Sequence, residues 1–129
     1  MIGDALSGLR VLVVEDEFMI AMLIEETLAD YGCVIVGPFT NLTQALQAVQ
    51  QQALDGAVLD VNLRGEKVYP LAELLDARGV PFLLLSGYGR DAIPPDRPNW
   101  RACGKPFAPD ELIMMLEAQI SEKDKNGNA

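Results

Sequence analysis

Histidine is absent from this 129-residue chain. Its absence excludes imidazole acid–base catalysis and histidine-ligated zinc sites. Cationic side chains are also scarce: ten lysines and arginines oppose nineteen aspartates and glutamates, giving a formal net charge of −9 at pH 7. Because a surface of this sign repels phosphate backbones, we expect no nucleic-acid partner.

Cysteines and long apolar runs are equally few. Cys33 and Cys103 cannot make a disulfide framework, and both stand in apolar surroundings, which predicts reduced core thiols. No apolar run comes near the ~20 residues that cross a bilayer, and residues 1–8 do not resemble a secretory signal. We therefore expect a cytoplasmic protein with no membrane partner.

Short apolar runs rich in β-formers alternate with segments of helical periodicity along the whole chain. Half of the residues are hydrophobic, and the length suits a single domain. The pattern predicts strands at 10–14, 33–36, 57–61, 82–85 and around 101–103. It predicts helices at 18–30, around 42–49, around 68–75 and from 109 to 120, with at most a brief or distorted helix among the prolines of 88–98.

Five strands alternating with five helical segments predict an α/β fold. The first strand segment, at 10–14, is continuously rather than alternately apolar, as expected in a parallel sheet with helices on both faces. Right-handed crossovers then favour a single doubly wound sheet. We predict one domain over 9–121, preceded by a short lead at 1–8 and followed by a flexible tail at 122–129.

Polar side chains stand where the predicted strands end. Asp60 closes the third strand, Glu15 and Asp16 follow the first, and Ser86 and Lys105 follow the fourth and fifth. In a parallel sheet these ends meet in one crevice. Each residue alone would be read as a turn former, a helix cap or a solvated charge, but their joint order favours a site.

The residue types at this edge suit phosphoryl chemistry. Asp16 and Asp60 are ligands of the kind that Mg²⁺ prefers, and Asn62 stands just beyond Asp60. A carboxylate can attack phosphorus to form an acyl phosphate, while a metal ion and a lysine neutralise the developing charge. Ser86 could donate a hydrogen bond to the transferred phosphoryl oxygens.

Four motifs resemble a known family. They are Val-Val-Glu-Asp-Glu at 13–17, Leu-Asp-Val-Asn-Leu at 59–63, Leu-Ser-Gly-Tyr-Gly at 85–89 and Lys-Pro-Phe at 105–107. From about residue 9 to 121 the chain resembles a receiver domain of the two-component response-regulator family. The resemblance implies a flavodoxin-like sheet with strand order 2-1-3-4-5, an order that periodicity does not give.

The resemblance also implies roles for the residues at the strand ends. Asp60 resembles the phosphoacceptor, Glu15 and Asp16 the acidic pair that holds Mg²⁺, Asn62 the donor of a backbone carbonyl to the metal, Ser86 the hydroxyl switch, and Lys105 the phosphate-binding lysine. The implied function is a phosphorelay switch served by a histidine kinase or histidine phosphotransferase. Its downstream partner is an unnamed protein.

Two features depart from the family pattern. Ala102 stands where the family usually has a tyrosine or phenylalanine whose ring moves on activation. The run from Ser86 to Gly89 is similar to a subgroup named for a Phe-Ala-Thr-Gly-x-Tyr motif, often stand-alone receivers served by HWE-class histidine kinases. Tyr88 then either shares in switching or is a half-buried packing residue.

Other functions stay open at this stage. An aspartate-nucleophile phosphatase of the haloacid-dehalogenase type needs a second carboxylate where Asn62 stands, so we expect no enzyme beyond self-catalysed phosphotransfer and dephosphorylation. A phosphate-independent interaction module on the same fold remains an alternative because of Ala102. The apolar run at 113–116 in the last helix packs mainly into the core, and part of it could serve a homodimer or partner.

Overall fold

The structure, a computed structural model, describes residues 4–127. Its centre is a five-stranded parallel sheet in the order β2-β1-β3-β4-β5. The strands are β1 (Arg10–Val14), β2 (Val34–Phe39), β3 (Gly56–Asp60), β4 (Phe82–Ser86) and β5 (Ala102–Gly104). The predicted fold class and strand order are both confirmed.

Four α-helices cover the sheet in the described part of the chain. They are α1 (Phe18–Asp30), α2 (Leu42–Gln51), α3 (Tyr69–Ala77) and α4 (Pro109–Gly127). Between β4 and β5 there is only a 3-10 turn, Gly89–Ala92. Three prolines within the next six residues cannot continue a helix, which explains why the fifth predicted helical segment is so short.

The core has one layer on each face of the sheet. Alternate residues of β1 serve opposite layers: Leu12 and Val14 pack with α2 and α3, whereas Val11 and Val13 pack with α1 and α4. All five residues of β3 are buried, as expected of a strand covered on both faces. Both cysteines are buried free thiols within this core, as predicted.

Two observations concern the residues on either side of the predicted domain. Leu6, in the predicted lead, is fully buried against the α1 and α4 layer, so the lead contributes to the core. Helix α4 continues through Gly127, past the predicted start of the tail, because no proline interrupts it. Residues 1–3 and 128–129 lie outside the described residues, and the flexibility of the tail stays a prediction.

A glycine sets the end of β1, where the acidic residues begin. Gly37 has φ +112°, and a Cβ there would stand 2.8 Å from the carbonyl oxygen of Val13. Its lack of a side chain lets β2 pass β1 where their register shifts. The Glu15 amide can then donate to the carbonyl of Phe39 at 3.0 Å, which fixes the backbone just beyond β1.

No helix among residues 4–127 is both long and apolar enough to cross a membrane.

Candidate functional site

Four strands of the sheet bring polar side chains to one edge. Asp60 and Ser86 are the last residues of β3 and β4, Lys105 directly follows β5, and Glu15 and Asp16 directly follow β1. Asp60, Ser86 and Lys105 line one cavity of about 550 Å³, here called the strand-end cavity. The structure therefore assembles the side chains that the sequence predicted to converge.

Lys105 joins two of the acids. Its Nζ lies 2.9 Å from Glu15 Oε1 and 3.2 Å from Asp60 Oδ1. Burial lowers the pKa of Lys105, but its hydrogen bonds and charge interactions with the two carboxylates outweigh that effect and raise the pKa above its ordinary value. Lys105 therefore stays cationic beside a carboxylate, Asp60, that is only 5% exposed.

Glu15 is the most deeply buried member of the group. Its side chain is fully buried, and its Oε2 accepts from the Glu17 amide at 3.2 Å. Burial, followed by the hydrogen bond with Asp60, raises the pKa of Glu15 to about 7, although Lys105 acts in the opposite direction. Near neutral pH this carboxyl therefore holds a proton part of the time.

The donor set suits a hard divalent cation. Glu15, Asp16 and Asp60 each offer a carboxylate oxygen, and the three atoms lie within 4.8 Å of one another. Glu15 Oε1 is buried with no hydrogen bond from the described residues beyond its ion pair with Lys105, so it keeps acceptor capacity. Carboxylates with carbonyl and water oxygens are what Mg²⁺ requires, so these residues fit that ion.

Ser86 ends the strand next to that of Asp60, and both residues line the strand-end cavity. The side chain is buried, and its Oγ accepts from the Tyr88 amide at 3.0 Å. The hydroxyl proton is not used in that bond, so it is available to an acceptor in the cavity. Asp60, for its part, accepts from the Asn62 amide through Oδ1 at 3.3 Å, which ties the carboxylate to the loop beyond β3.

Comparison with known proteins agrees with this geometry. Residues 11–117 match the family model described as the response regulator receiver domain. The chain belongs to this family. The matched residues include the strand ends that carry Asp60 and Ser86, and Lys105 directly after β5.

Among solved structures, this receiver domain is similar to SdrG from Sphingomonas melonis Fr1, with 36% identity, a TM-score of 0.77, and coverage of 88% of this chain and 97% of SdrG. A BeF3-activated conformation of SdrG matches with a TM-score of 0.73. PhyR from Brucella abortus, 23% identical with a TM-score of 0.77 and covering 92% of this chain and 51% of PhyR, supports the fold alone.

Two curated relatives are transcriptional or regulatory proteins. The receiver domain is 29% identical to the transcriptional regulatory protein PdtaR of Mycobacterium tuberculosis over 123 residues, covering 92% of this chain and 60% of PdtaR. It is 30% identical to the regulatory protein VanRc of Enterococcus gallinarum over 118 residues, covering 86% of this chain and 49% of VanRc. The chain thus spans only about half to three-fifths of these relatives.

The receiver domain also has a hairpin at this edge that the sequence analysis did not predict. Asn62–Leu63 pairs antiparallel with Glu66–Lys67 across Arg64 and Gly65, both at positive φ. This is the backbone of a two-residue hairpin turn, and Asn62 Oδ1 closes it by accepting from the Gly65 amide at 2.8 Å. The Arg-Gly pair was the only signal available in the sequence.

The hairpin brings two cations to the site. Arg64 Nε lies 3.6 Å from Asp16 Oδ2, on the solvent side of the acidic group. Lys67 lines the strand-end cavity together with Asp60 and Asn62. Neither cation was predicted, because both stand on an exposed loop where a charged side chain carries no positional signal.

Two tyrosines line the cavity as well. Tyr88 is 80% exposed, so the interpretation of a half-buried packing residue is wrong: its backbone is tied to Ser86, and its ring faces solvent. Tyr69, missed as a site residue, lines the same cavity and donates its hydroxyl to the carbonyl of Ala92 at 2.5 Å. No sequence signal indicates that contact, because the two residues are joined only by the fold.

Proposed function

We propose that this receiver domain is a phosphorylation-controlled switch with Asp60 as phosphoacceptor. The observation that carries the proposal is the position of Lys105, whose Nζ lies between Glu15 and Asp60 at 2.9 and 3.2 Å. A fixed cation beside a buried carboxylate can neutralise the charge that develops when a phosphoryl group transfers to that carboxylate. The cavity in front of Asp60 gives the donor access.

The transfer would proceed as follows. A carboxylate oxygen of Asp60 attacks phosphorus, an O–P bond forms, and the P–N bond of a phosphohistidine donor breaks with its electron pair returning to the imidazole nitrogen. Lys105 attracts the phosphoryl oxygens, and the Ser86 hydroxyl can donate to one of them. Glu15, Asp16, Asp60 and the backbone carbonyl of Asn62 would hold Mg²⁺, which when bound supplies further positive charge to those oxygens.

A phosphohistidine donor would lie outside these 129 residues. The sequence has no histidine, so a phosphohistidine must come from a histidine kinase or histidine phosphotransferase. Phe18 and Met19, which open α1 directly after the acidic group, are 74% and 75% exposed and offer an apolar contact beside the site. The likeness of Ser86 to Gly89 to the Phe-Ala-Thr-Gly-x-Tyr subgroup favours an HWE-class kinase.

The output would be contact with a downstream protein, in the cytoplasm, with no nucleic-acid or membrane partner. The net charge of −9 and the buried free cysteines support these expectations. A homodimer through the 113–116 run has little surface to use: Ile113 and Leu116 are buried, and Met114 is the exposed residue of that run, at 54%.

A phosphatase acting on external substrates is disfavoured. Asn62 stands two residues beyond Asp60, and its side-chain oxygen is already engaged with the Gly65 amide. A neutral amide cannot transfer the proton that a leaving group or an attacking water requires. We therefore expect no catalysis beyond the domain's own phosphotransfer and dephosphorylation.

A phosphate-independent interaction module is the second candidate. It is favoured by the charge balance of the site itself, because Lys105 and Arg64 already pair with the acids without any phosphoryl group. In that function the acids would stabilise the loops that surround the cavity, and chemical modification of Asp60 would have no part.

Intact mass distinguishes these two functions. After incubation with acetyl phosphate and Mg²⁺, we expect the wild type to gain the mass of one phosphoryl group, and to gain none when a chelator is present. Asp60→Asn is expected to remain unmodified, whereas Asp30→Asn, the same change at an exposed residue of α1, should behave as wild type. Equal labelling of the wild type and Asp60→Asn, or no labelling with any small donor, would favour the phosphate-independent module.

A further inference from the structure

A second cavity shares a wall with the strand-end cavity. It has a volume of about 420 Å³ and lies between α3 and the segment from Asp91 to Trp100, and we call it the Trp100 groove. Tyr69, Asp91 and Ala92 line both cavities. The two cavities therefore share a wall that includes the Tyr69 side chain.

The hydroxyl of Tyr69 forms a hydrogen bond within that wall. It donates to the carbonyl of Ala92 at 2.5 Å, joining the first turn of α3 to the end of the 3-10 turn Gly89–Ala92. Burial raises the pKa of Tyr69, so the phenol stays protonated and remains a donor. Because the acceptor is a main-chain carbonyl, the length of this hydrogen bond depends on the position of the backbone at Ala92.

Both partners of this hydrogen bond are also tied to the strand-end cavity. On one side, the Val68 amide, directly before Tyr69, donates to the carbonyl of Val61 at 2.9 Å, one residue beyond Asp60. On the other side, the 3-10 turn begins directly after Tyr88, whose amide donates to Ser86 Oγ at 3.0 Å. A movement of Asp60 or Ser86 can therefore reach the Tyr69–Ala92 hydrogen bond through these two backbone hydrogen bonds and the short segments that follow them.

A second contact between α3 and this segment, the Glu73–Arg97 ion pair, lies one helical turn along α3, inside the groove. Glu73 accepts two hydrogen bonds from Arg97, both at 2.7 Å, and the Arg97 guanidinium lies 5.6 Å from the centre of the Trp100 ring. Residues four apart share a helix face, so Tyr69 and Glu73 hold the same segment from the same side. The Trp100 ring packs edge-on against Phe82 of β4 at 5.1 Å.

The structure leaves Trp100 able to respond to movement of this segment. Trp100 is only 4% exposed, yet its indole Nε1 has no hydrogen-bond partner among the described residues. A shift of the ring would break no hydrogen bond.

We propose that Tyr69 is a positioning residue that couples the phosphorylation state of Asp60 to the shape of the Trp100 groove. The inference rests on the proposed function. When the Ser86 hydroxyl donates to a phosphoryl oxygen, its Oγ is drawn toward Asp60, and the Tyr88 amide that donates to this Oγ moves with it. The 3-10 turn that begins directly after Tyr88 then shifts, so Ala92 at its end moves relative to Tyr69. Helix α3 and the segment from Asp91 to Trp100 adjust through the Tyr69–Ala92 hydrogen bond.

Fluorescence of Trp100 tests the coupling, because it is the only tryptophan in the chain. Emission and intact mass are followed together after addition of acetyl phosphate and Mg²⁺. In the wild type we expect an emission change that grows in parallel with phosphoryl addition. Tyr69→Phe removes one oxygen and is expected to gain the phosphoryl mass while losing at least half of the emission change.

Tyr31→Phe is the matched control, since it removes the same atom at the end of α1, outside both cavities. It should keep the full emission change. Glu73→Gln weakens the Glu73–Arg97 ion pair without altering Tyr69, and we expect it to reduce the emission change as well. This variant provides a test that does not depend on whether Tyr69→Phe folds. If Tyr69 had only a structural role, Tyr69→Phe would alter the stability of the protein and leave the phosphorylation-dependent change in Trp100 emission intact.

The outcomes separate the two proposals. Phosphoryl addition without any emission change in the wild type, or an equal change in the wild type, Tyr69→Phe and Glu73→Gln, overturns the coupling and leaves Asp60 as phosphoacceptor. If the wild type gains no phosphoryl mass, the proposed function is wrong, and so is the proposed coupling between Asp60 and the Trp100 groove.

Discussion

Replacement of Lys105 by methionine is expected to slow phosphoryl uptake by about 100-fold or more, the usual effect of removing one fixed charge-stabilising donor from an active site. The wild-type Nζ lies 3.2 Å from Asp60 Oδ1, where it can also contact the phosphoryl oxygens as they arrive. Methionine keeps most of the length of the side chain and removes the charge. The rate is measured as gain of phosphoryl mass from acetyl phosphate at saturating Mg²⁺.

Lys67→Met is the control for this variant. Lys67 also lines the strand-end cavity, but it is exposed on the hairpin and forms no ion pair with Asp60 among the described residues. We expect its effect on the rate to be within a few-fold of wild type, since exposed charges in water are strongly screened. Equal rates for Lys105→Met and wild type would show that Lys105 has no part in the transfer.

Replacement of Glu15 by glutamine is expected to stabilise the protein in metal-free buffer at pH 8, by about 1–3 kcal/mol. The pKa of Glu15 is about 7 in the folded protein and 4.5 ordinarily, because burial and Asp60 disfavour its charged form. Folding thus favours the protonated carboxyl, and glutamine reproduces that neutral form. The same change should weaken Mg²⁺ binding, because a carboxylate ligand is lost.

The sign of the pH dependence follows from the raised pKa. The favourable contribution of protonated Glu15 is complete below pH 4.5 and is lost as the pH rises through about 7. Urea unfolding of the wild type at several pH values should therefore show stability declining across this interval, and Glu15→Gln should lack that part of the decline. Glu26→Gln, at an exposed position of α1, serves as the control.

A Glu15→Gln variant with the same pH dependence as wild type, or with lower stability at pH 8 without metal, would contradict this account of the buried carboxyl. It would mean that the ion pair with Lys105, 2.9 Å from Glu15 Oε1, contributes more than the burial of the charge costs.

Much of this fold could be predicted because its strands are simple. The sheet strands are short runs rich in apolar residues, so their number and order along the chain could be read from the sequence. Their ends were read less well, because the second strand was predicted to stop at residue 36 and continues to Phe39. The position of Asp60 at the end of β3 places it in the crevice of any doubly wound sheet. The convergence of Asp16, Ser86 and Lys105 on the same edge follows by the same reasoning.

The parts that could not be predicted depend on contacts between distant residues. The two-residue strands of the hairpin after Asp60 are too short to show a period, so Arg64 and Lys67 were missed. The Tyr69–Ala92 hydrogen bond joins residues 23 apart in sequence, and neither residue type indicates the other. The exposure of Tyr88 likewise depends on how the turn after Ser86 is oriented.

Borohydride trapping would identify the phosphoacceptor residue, because borohydride reduces an acyl phosphate to an alcohol and leaves a free carboxylate unchanged. The wild type is incubated with acetyl phosphate and Mg²⁺, reduced, digested and mapped by mass spectrometry. We expect Asp60 to be converted to homoserine, and a chelator to prevent the conversion. Reduction at a different acid, or an unmodified Asp60 in protein that has gained phosphoryl mass, would contradict it.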